Sequence, residues 1–196
     1  MNHFFAYIFR MKYIRRWSMM KNSEDENLQE HSLEVAMIAH CLALIRRDIF
    51  KVLCDPDKIA VAAMYHDAEE ILTGDLPTPI KYMNESIFNA YHSIELGSRD
   101  KLLSELPEEL EEQYTEILYT SEWDKELYVL IKAADRLAAY IKCMNELKFG
   151  NSEFKRAMVQ TKEKLDKMKL PEVEYFLEHF VPSFRLSLHE LEGGEE

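Results

Sequence analysis

Met64-Tyr65-His66-Asp67-Ala68-Glu69-Glu70 sets an imidazole beside a carboxylate, with a second carboxylate about one helical turn further on. Asp55 offers an N-cap acceptor, Pro56 suits the first helical position, and Gly74 fits just past a C-terminus. Between those signals Ile59, Ala60, Val61, Ala62, Ala63 and Met64 are apolar, which predicts one helix from Pro56 to Thr73, buried on most sides. In such a helix His66 and Glu70 are i,i+4 neighbours, Asp67 and Glu70 are i,i+3, and His66 and Asp67 lie about 100° apart around the axis. A buried unpaired carboxylate costs several kcal/mol. The cluster therefore needs a cation, or a helix end that reaches water; the stretch alone leaves both readings open.

The 196-residue chain suits one domain, able to bury roughly 70% of its unfolded surface. Apolar residues make up 47% and charged residues 31%, a globular composition. Five glycines, two of them the terminal pair Gly193 and Gly194, are too few for a hairpin-rich β fold or a Gly-rich phosphate loop. A net charge of −12 argues against a nucleic acid polymer as partner. It leaves room for a small anion held by a metal and one or two Arg side chains. Cys41, Cys54 and Cys143 are scattered and form no CxxC, as expected of free thiols in a reducing compartment. No run of eighteen apolar residues suggests a membrane span, and the apolar, basic start (Asn2 to Trp17) lacks a cleavable signal, so the expected location is the cytoplasm.

Phe4, Phe5, Ile8 and Met11 fall at helical spacing, predicting a first helix within residues 2–17 whose apolar stripe packs on the body. Arg10, Lys12, Arg15, Arg16 and Lys21 make this the most basic part of an acidic protein. Arg16-Trp17 pairs a phosphate-binding guanidinium with a stacking indole; the plainer alternative is a surface Arg and a core Trp. Asn27-Leu28-Gln29-Glu30 has the form of a capping box after a polar loop, and Leu33 to Ile45 continues as a buried helix. It carries His31 in its first turn and His40 about 180° round the axis, so those two cannot serve one site. Thr73-Gly74-Asp75-Leu76-Pro77-Thr78-Pro79 is a loop stiffened by two prolines, which sets Asp75 and Thr78 just beyond the helix end. Helices are expected over Ser86–Leu103, Pro107–Tyr119, Ser121 to about Leu147, Ser152–Lys169 and Pro171–Val181, followed by an acidic tail over 192–196. His92 is expected to be exposed. Asp135 lies among Ile131, Ala133, Ala134, Leu137, Ala138 and Ala139, where Lys132 and Arg136 could neutralise it or a metal could use it. The whole reads as an all-α, single-domain helical bundle spanning residues 1–196.

His31, His66-Asp67 and Asp135 place two imidazoles and two carboxylates on three helices, a mixed N/O set suited to Mn, Fe, Co, Ni or Zn. The order H…HD…D resembles the HD-domain metal-dependent phosphohydrolases. Arg16-Trp17, Glu30-His31-Ser32, Ala63-Met64-Tyr65-His66-Asp67, Leu72 to Pro79 and Phe180-Val181-Pro182-Ser183-Phe184 further resemble the bacterial 5′-deoxynucleotidases of the YfbR type, over nearly the whole chain.

The resemblance implies hydrolysis of deoxyribonucleoside 5′-monophosphates to deoxynucleoside and phosphate, one divalent transition metal with cobalt favoured, and a homodimer. It implies that His31, His66, Asp67 and Asp135 hold the metal, while Glu70 and Asp75 are the catalytic carboxylates. Arg16 would orient the phosphate and Trp17 would pack near the nucleoside. The substrate site would comprise Arg16, Trp17, His31, Asp67, Asp75, Leu76, Pro77, Thr78 and Asp135. Two positions depart from the familiar pattern: Ser18 stands where Pro is expected and Glu69 where Ser is expected. The second adds negative charge beside Glu70 and should raise its pKa. The expected chemistry is attack of a metal-activated water in line with the leaving 5′ oxygen, Glu70 and Asp75 sharing the proton transfers. The rival expectations are an HD phosphohydrolase for another nucleotide, or a helical protein that binds nucleotide without turnover.

Overall fold

A computed structural model describes residues 1–120 and 124–193, except for the Thr78 side chain. The chain opens with α1 (Phe4–Ile8), which tightens into a 3-10 turn at Phe9–Tyr13. The helix α2 (Leu28–Leu44) ends in a π-turn at Ile45–Ile49. Then come α3 (Pro56–Met64), α4 (Glu70–Thr73), α5 (Thr78–Lys81), α6 (Glu85–Leu103) and α7 (Glu108–Leu118). The longest element, α8 (Lys125–Lys148), is followed by α9 (Lys155–Met168), α10 (Pro171–His179) and the short α11 (Leu188–Leu191). Among the described residues there is no strand, and an isolated antiparallel bridge joins Arg15 to Asn27. The fold class is all-α, as expected.

Local signals set most helix starts. Asn27 accepts from the Gln29 and Glu30 amides while Glu30 returns a bond to the Asn27 amide, a complete capping box. Asp55 accepts from the Asp57 and Lys58 amides ahead of Pro56. Asn84 caps α6 and Asp124 caps α8. The expected start of α8 at Ser121–Trp123 lies outside the described residues, as does Gly194–Glu196 of the tail.

Two apolar clusters hold the helices together. The larger joins Val35, Ala39 and Leu42 of α2, Ala62 and Ala63 of α3, and Leu130, Ala134 and Leu137 of α8. Fully burying a side chain such as Leu130 or Leu137 contributes roughly 1.5–3 kcal/mol. The smaller joins Phe4, Ile8, Met11 and Leu28 with Ala68, Ile71, Leu102 and Leu118. Both clusters draw on the same two segments. Leu28 belongs to the smaller and Val35 to the larger, with His31 between; Ala63 belongs to the larger and Ala68 to the smaller, with His66 and Asp67 between. The polar groups sit where the chain crosses from one apolar cluster to the other.

Two expectations need correction. The helix over Pro56–Thr73 is not continuous: α3 stops at Met64, and Tyr65 (φ −113°, ψ 9°) leaves the helical region. Bonds from Tyr65 to Ala62, His66 to Ala63 and Ala68 to Tyr65 form a run of i→i−3 turns before α4. The first helix is also much shorter than residues 2–17. Its successor segment leaves the helix because Arg16 donates to the Glu26 carbonyl and Leu28 to that of Ile14, and Trp17 has a positive φ of 57°. Phe4, Ile8 and Met11 are buried as expected, but Phe5 is exposed.

Candidate active site

The break at Tyr65–Glu69 turns His66 inward, where its Nδ1 lies 2.9 Å from the Ala63 carbonyl oxygen. A carbonyl only accepts, so Nδ1 carries the proton and Nε2 presents its lone pair to the site. That lone pair faces Asp67 Oδ2 at 2.9 Å without forming a hydrogen bond. Two acceptors that close repel unless a proton or a cation sits between them.

His31 repeats the arrangement from α2. Its Nδ1 lies 3.5 Å from Glu26 Oε1, and its buried Nε2, again without a hydrogen-bond partner, lies 3.3 Å from Asp135 Oδ1 on α8. The two rings are 5.4 Å apart, centroid to centroid. One ligand atom each from His31, His66 and Asp67 falls within a 4.8 Å span. Asp135 joins them through its contact with His31. Two imidazole Nε2 atoms and two carboxylates converging in this way fit a divalent metal, with the far nitrogen of His66 held on the Ala63 carbonyl and that of His31 facing Glu26.

Protonation follows from these neighbours. Burial, then the Arg16 charge, hold His31 below its ordinary pKa, so its ring is neutral at pH 7. Burial also lowers His66, but Asp67 and Asp135 outweigh it and the net shift is upward. Asp135 lies well below the usual carboxylate range: burial opposes ionisation, and Lys132 and His31 overcome it. Asp67 is likewise low, burial being overcome by His66.

Arg16 borders this cluster. Its Nε donates to Glu26 Oε1 at 2.7 Å and its Nη1 lies 3.6 Å from Asp67 Oδ2. On the α8 side, Lys132 Nζ donates to Asp135 Oδ2 at 3.2 Å. Arg136 takes no part in neutralising Asp135 here, donating instead to the Lys164 carbonyl.

Glu70 is buried, and its Oε2 has no hydrogen-bond partner. Burial, then Asp67 and Asp75, push its carboxyl well above the ordinary value. Glu69 adds to that shift in the expected direction, though least of the causes, because it turns away to accept from Arg99 at 2.7 Å. Asp75 is raised by burial, with Arg16 opposing. It follows Gly74, whose φ of 75° and ψ of 163° belong to a region open essentially to glycine alone. The Gly74 carbonyl accepts from the Tyr91 hydroxyl at 3.0 Å, fixing the direction in which the loop leaves α4.

Arg16, His31, His66, Asp67, Glu70, Asp75 and Asp135 thus come together. Leu76 and Pro77 follow Asp75, half-buried, and the Thr78 side chain lies outside the described residues. Trp17 packs on Phe154 at 5.3 Å, with its buried Nε1 unpartnered. His40 faces Asp57 away from the site, and His92 is exposed, as expected. Sequence reasoning missed Glu26, which touches both Arg16 and His31. Its only signal is position, opposite Arg16 across the short backbone pairing that precedes Asn27.

A family model described as 5′-deoxynucleotidase YfbR-like matches residues 3–184. A 5′-deoxynucleotidase of Photobacterium profundum is 48% identical over 190 residues, covering 97% of this chain and 98% of that protein. The 5′-deoxynucleotidase YfbR of Salmonella typhi is 46% identical, covering 97% and 96%. Among solved structures, an HD-domain phosphohydrolase of Listeria innocua superposes with a TM-score of 0.81 at 18% identity, covering 97% of this chain and 92% of that one. The HD phosphohydrolase of cyanophage S-2L, solved with dA and one catalytic Zn2+, superposes with a TM-score of 0.61 at 20% identity, covering 91% and 96%.

Proposed function

The chain belongs to the YfbR-like 5′-deoxynucleotidase family, and from that premise we propose that it hydrolyses deoxyribonucleoside 5′-monophosphates to deoxynucleoside and phosphate at the His31–His66–Asp67–Asp135 cluster. The observation that carries this reading is the pair of unpartnered imidazole Nε2 atoms, each facing a carboxylate that cannot donate to it. We read residues 1–196 as one domain of HD type, with the N-terminal segment supplying Arg16 and Trp17 to the substrate side.

His31, His66, Asp67 and Asp135 would hold one divalent transition metal, with cobalt favoured by the family resemblance and manganese, iron, nickel or zinc equally suited to the donors. Such an ion, when bound, lowers the pKa of a coordinated water to about 7 and offsets charge on phosphoryl oxygens. The remaining steps fall to side chains. Arg16, held on Glu26, would orient the phosphate. Glu70, raised by burial and unpartnered at Oε2, would take the proton of the attacking water. Asp75, also raised, would return a proton to the 5′ oxygen as the P–O bond breaks. Asp67 and Asp135 border the same space from the metal side, and Leu76, Pro77 and Thr78 would line the nucleoside wall with Trp17, whose free indole N–H offers a donor.

The expected setting is the cytoplasm: Cys41, Cys54 and Cys143 are all free thiols, and no helix among the described residues is long and apolar enough to cross a membrane. A homodimer is supported by exposed Phe9 and Tyr13 on the N-terminal segment, and light scattering would measure it.

Phosphate release from dAMP and AMP, measured side by side with and without a chelator, tests the reading. Release from dAMP that far exceeds AMP and stops with chelator is the expected result. Release of pyrophosphate or triphosphate from a nucleoside triphosphate, with dAMP untouched, would assign the chain to a different phosphohydrolysis.

A further inference from the structure

Two cations flank the ligand cluster, each resting on one of its carboxylates. Arg16 Nη1 lies 3.6 Å from Asp67 Oδ2, and Lys132 Nζ lies 3.2 Å from Asp135 Oδ2. Their circumstances differ. Arg16 is matched independently by Glu26, its Nε donating at 2.7 Å to a carboxylate that is itself buried. Lys132 is paired with Asp135, and 35% of its side chain is open to solvent.

Charge in the cluster then points one way. With neutral imidazoles, Asp67 and Asp135 together balance one divalent cation, and Glu26 balances Arg16. Asp135, its Oδ1 directed at His31 Nε2, would give its charge to that cation and hold the ammonium less firmly. Among the described residues, the Lys132 charge is then left without another paired carboxylate on its side of the site. A nucleotide's phosphate dianion, approaching the same cation, supplies one. A lysine suits this exchange, because a compact ammonium on a flexible four-carbon stem can move from carboxylate to phosphate without rebuilding a planar, two-point contact.

We propose that Lys132 is a substrate-binding residue, its ammonium engaging the nucleotide's phosphate across the metal cluster from Arg16. The assignment rests on the metal-dependent reading of the site given above. It adds to that reading a second phosphate contact, supplied by α8.

The test uses the full chain loaded with zinc, as wild type, Lys132→Met and Lys132→Arg, with helicity followed by circular dichroism. Metal content, binding of inorganic phosphate by calorimetry, and Michaelis parameters on dAMP are read for each. Lys132→Met is expected to keep wild-type metal content while binding phosphate about tenfold to a hundredfold more weakly, the range for losing a hydrogen bond to a charged group. KM should rise more than kcat falls, and Lys132→Arg should recover most of the loss. Unchanged phosphate affinity in Lys132→Met would overturn the proposal. So would a loss of metal with normal phosphate binding by the loaded fraction, which would make Lys132 a residue that positions Asp135. Should Lys132→Met lose helicity, Lys132→Gln is read in the same way. If wild type releases no phosphate from dAMP, the nucleotidase reading fails, while phosphate binding to the zinc-loaded protein still decides the role of Lys132.

Discussion

Glu146 and Glu70 are both buried acids, 2% and 9% exposed, yet they live in opposite surroundings. Glu146, on α8, accepts from Lys142 Nζ at 2.6 Å, Asn151 Nδ2 at 2.7 Å, and the Ser23 and Glu24 amides at 2.9 and 3.3 Å. Burial opposes its ionisation, but Lys142, Asn151 and Ser23 outweigh that and hold the carboxyl down to about 2. Glu70 has an oxygen with no partner and neighbouring acids that push its carboxyl upward. The chain completes the first group and leaves the second incomplete. Glu146 is satisfied by its own chain, whereas Glu70 keeps an oxygen open where Asp67 and Asp75 act on it.

Breaking the open cluster should have the largest effect. Asp67→Ala is expected to reduce metal content to near zero and dAMP hydrolysis below detection while helicity persists; retained metal with lost activity would move Asp67 out of the ligand set. Glu70→Gln should lower kcat by about 10²–10⁴, the range for a positioned acid or base, with metal content unchanged. The same variant sharpens the contrast in stability. Because the folded-state pKa of Glu70 is raised, its ionised form works against the fold above the unfolded value of about 4.5. Metal-free wild type should therefore lose stability as pH rises through that region relative to Glu70→Gln, as urea melts at several pH values would record.

The closed cluster should respond in the opposite sense. Glu146→Ala is expected to cost about 2–4 kcal/mol in urea unfolding with kcat largely kept. The depressed pKa of Glu146 gives stability that is fully present above about pH 4.5 and lost as pH falls toward about 2. Glu146→Gln should flatten that acid limb. Smallest of all, His40→Ala removes a pair 3.5 Å apart with Asp57 95% exposed, and should change stability by less than about 0.5 kcal/mol.

The parts legible in the sequence are those whose causes are local. Asn27 and Asp55 carry their own side-chain caps, and a positive φ at Gly74 follows from residue type, whereas the Asn84 cap of α6 is not among the expected signals. The H…HD…D spacing singled out His31, His66, Asp67 and Asp135 because their types are uncommon in apolar helices. What escaped depends on partners far along the chain. Glu26 read as part of a polar loop, since only the pairing of residues 14–16 with 26–28 turns it toward Arg16 and His31. Glu146 looked like one more helical acid, because the amides it holds lie 122 and 123 residues away. The interruption at Tyr65 escaped for another reason: every residue from Ile59 to Ala68 is compatible with a helix, and the departure comes from packing Ala63 and Ala68 into separate apolar clusters.

That interruption makes the His66–Asp67 pair vulnerable to repair rather than to damage. A regular helix would run on through residues 65–69 and draw the Ala63 carbonyl into its ladder, competing for the acceptor on which His66 Nδ1 is held. Substitutions that favour continuity there are expected to strengthen the helix while disturbing the proposed metal cluster, with all four of its side chains still in the sequence.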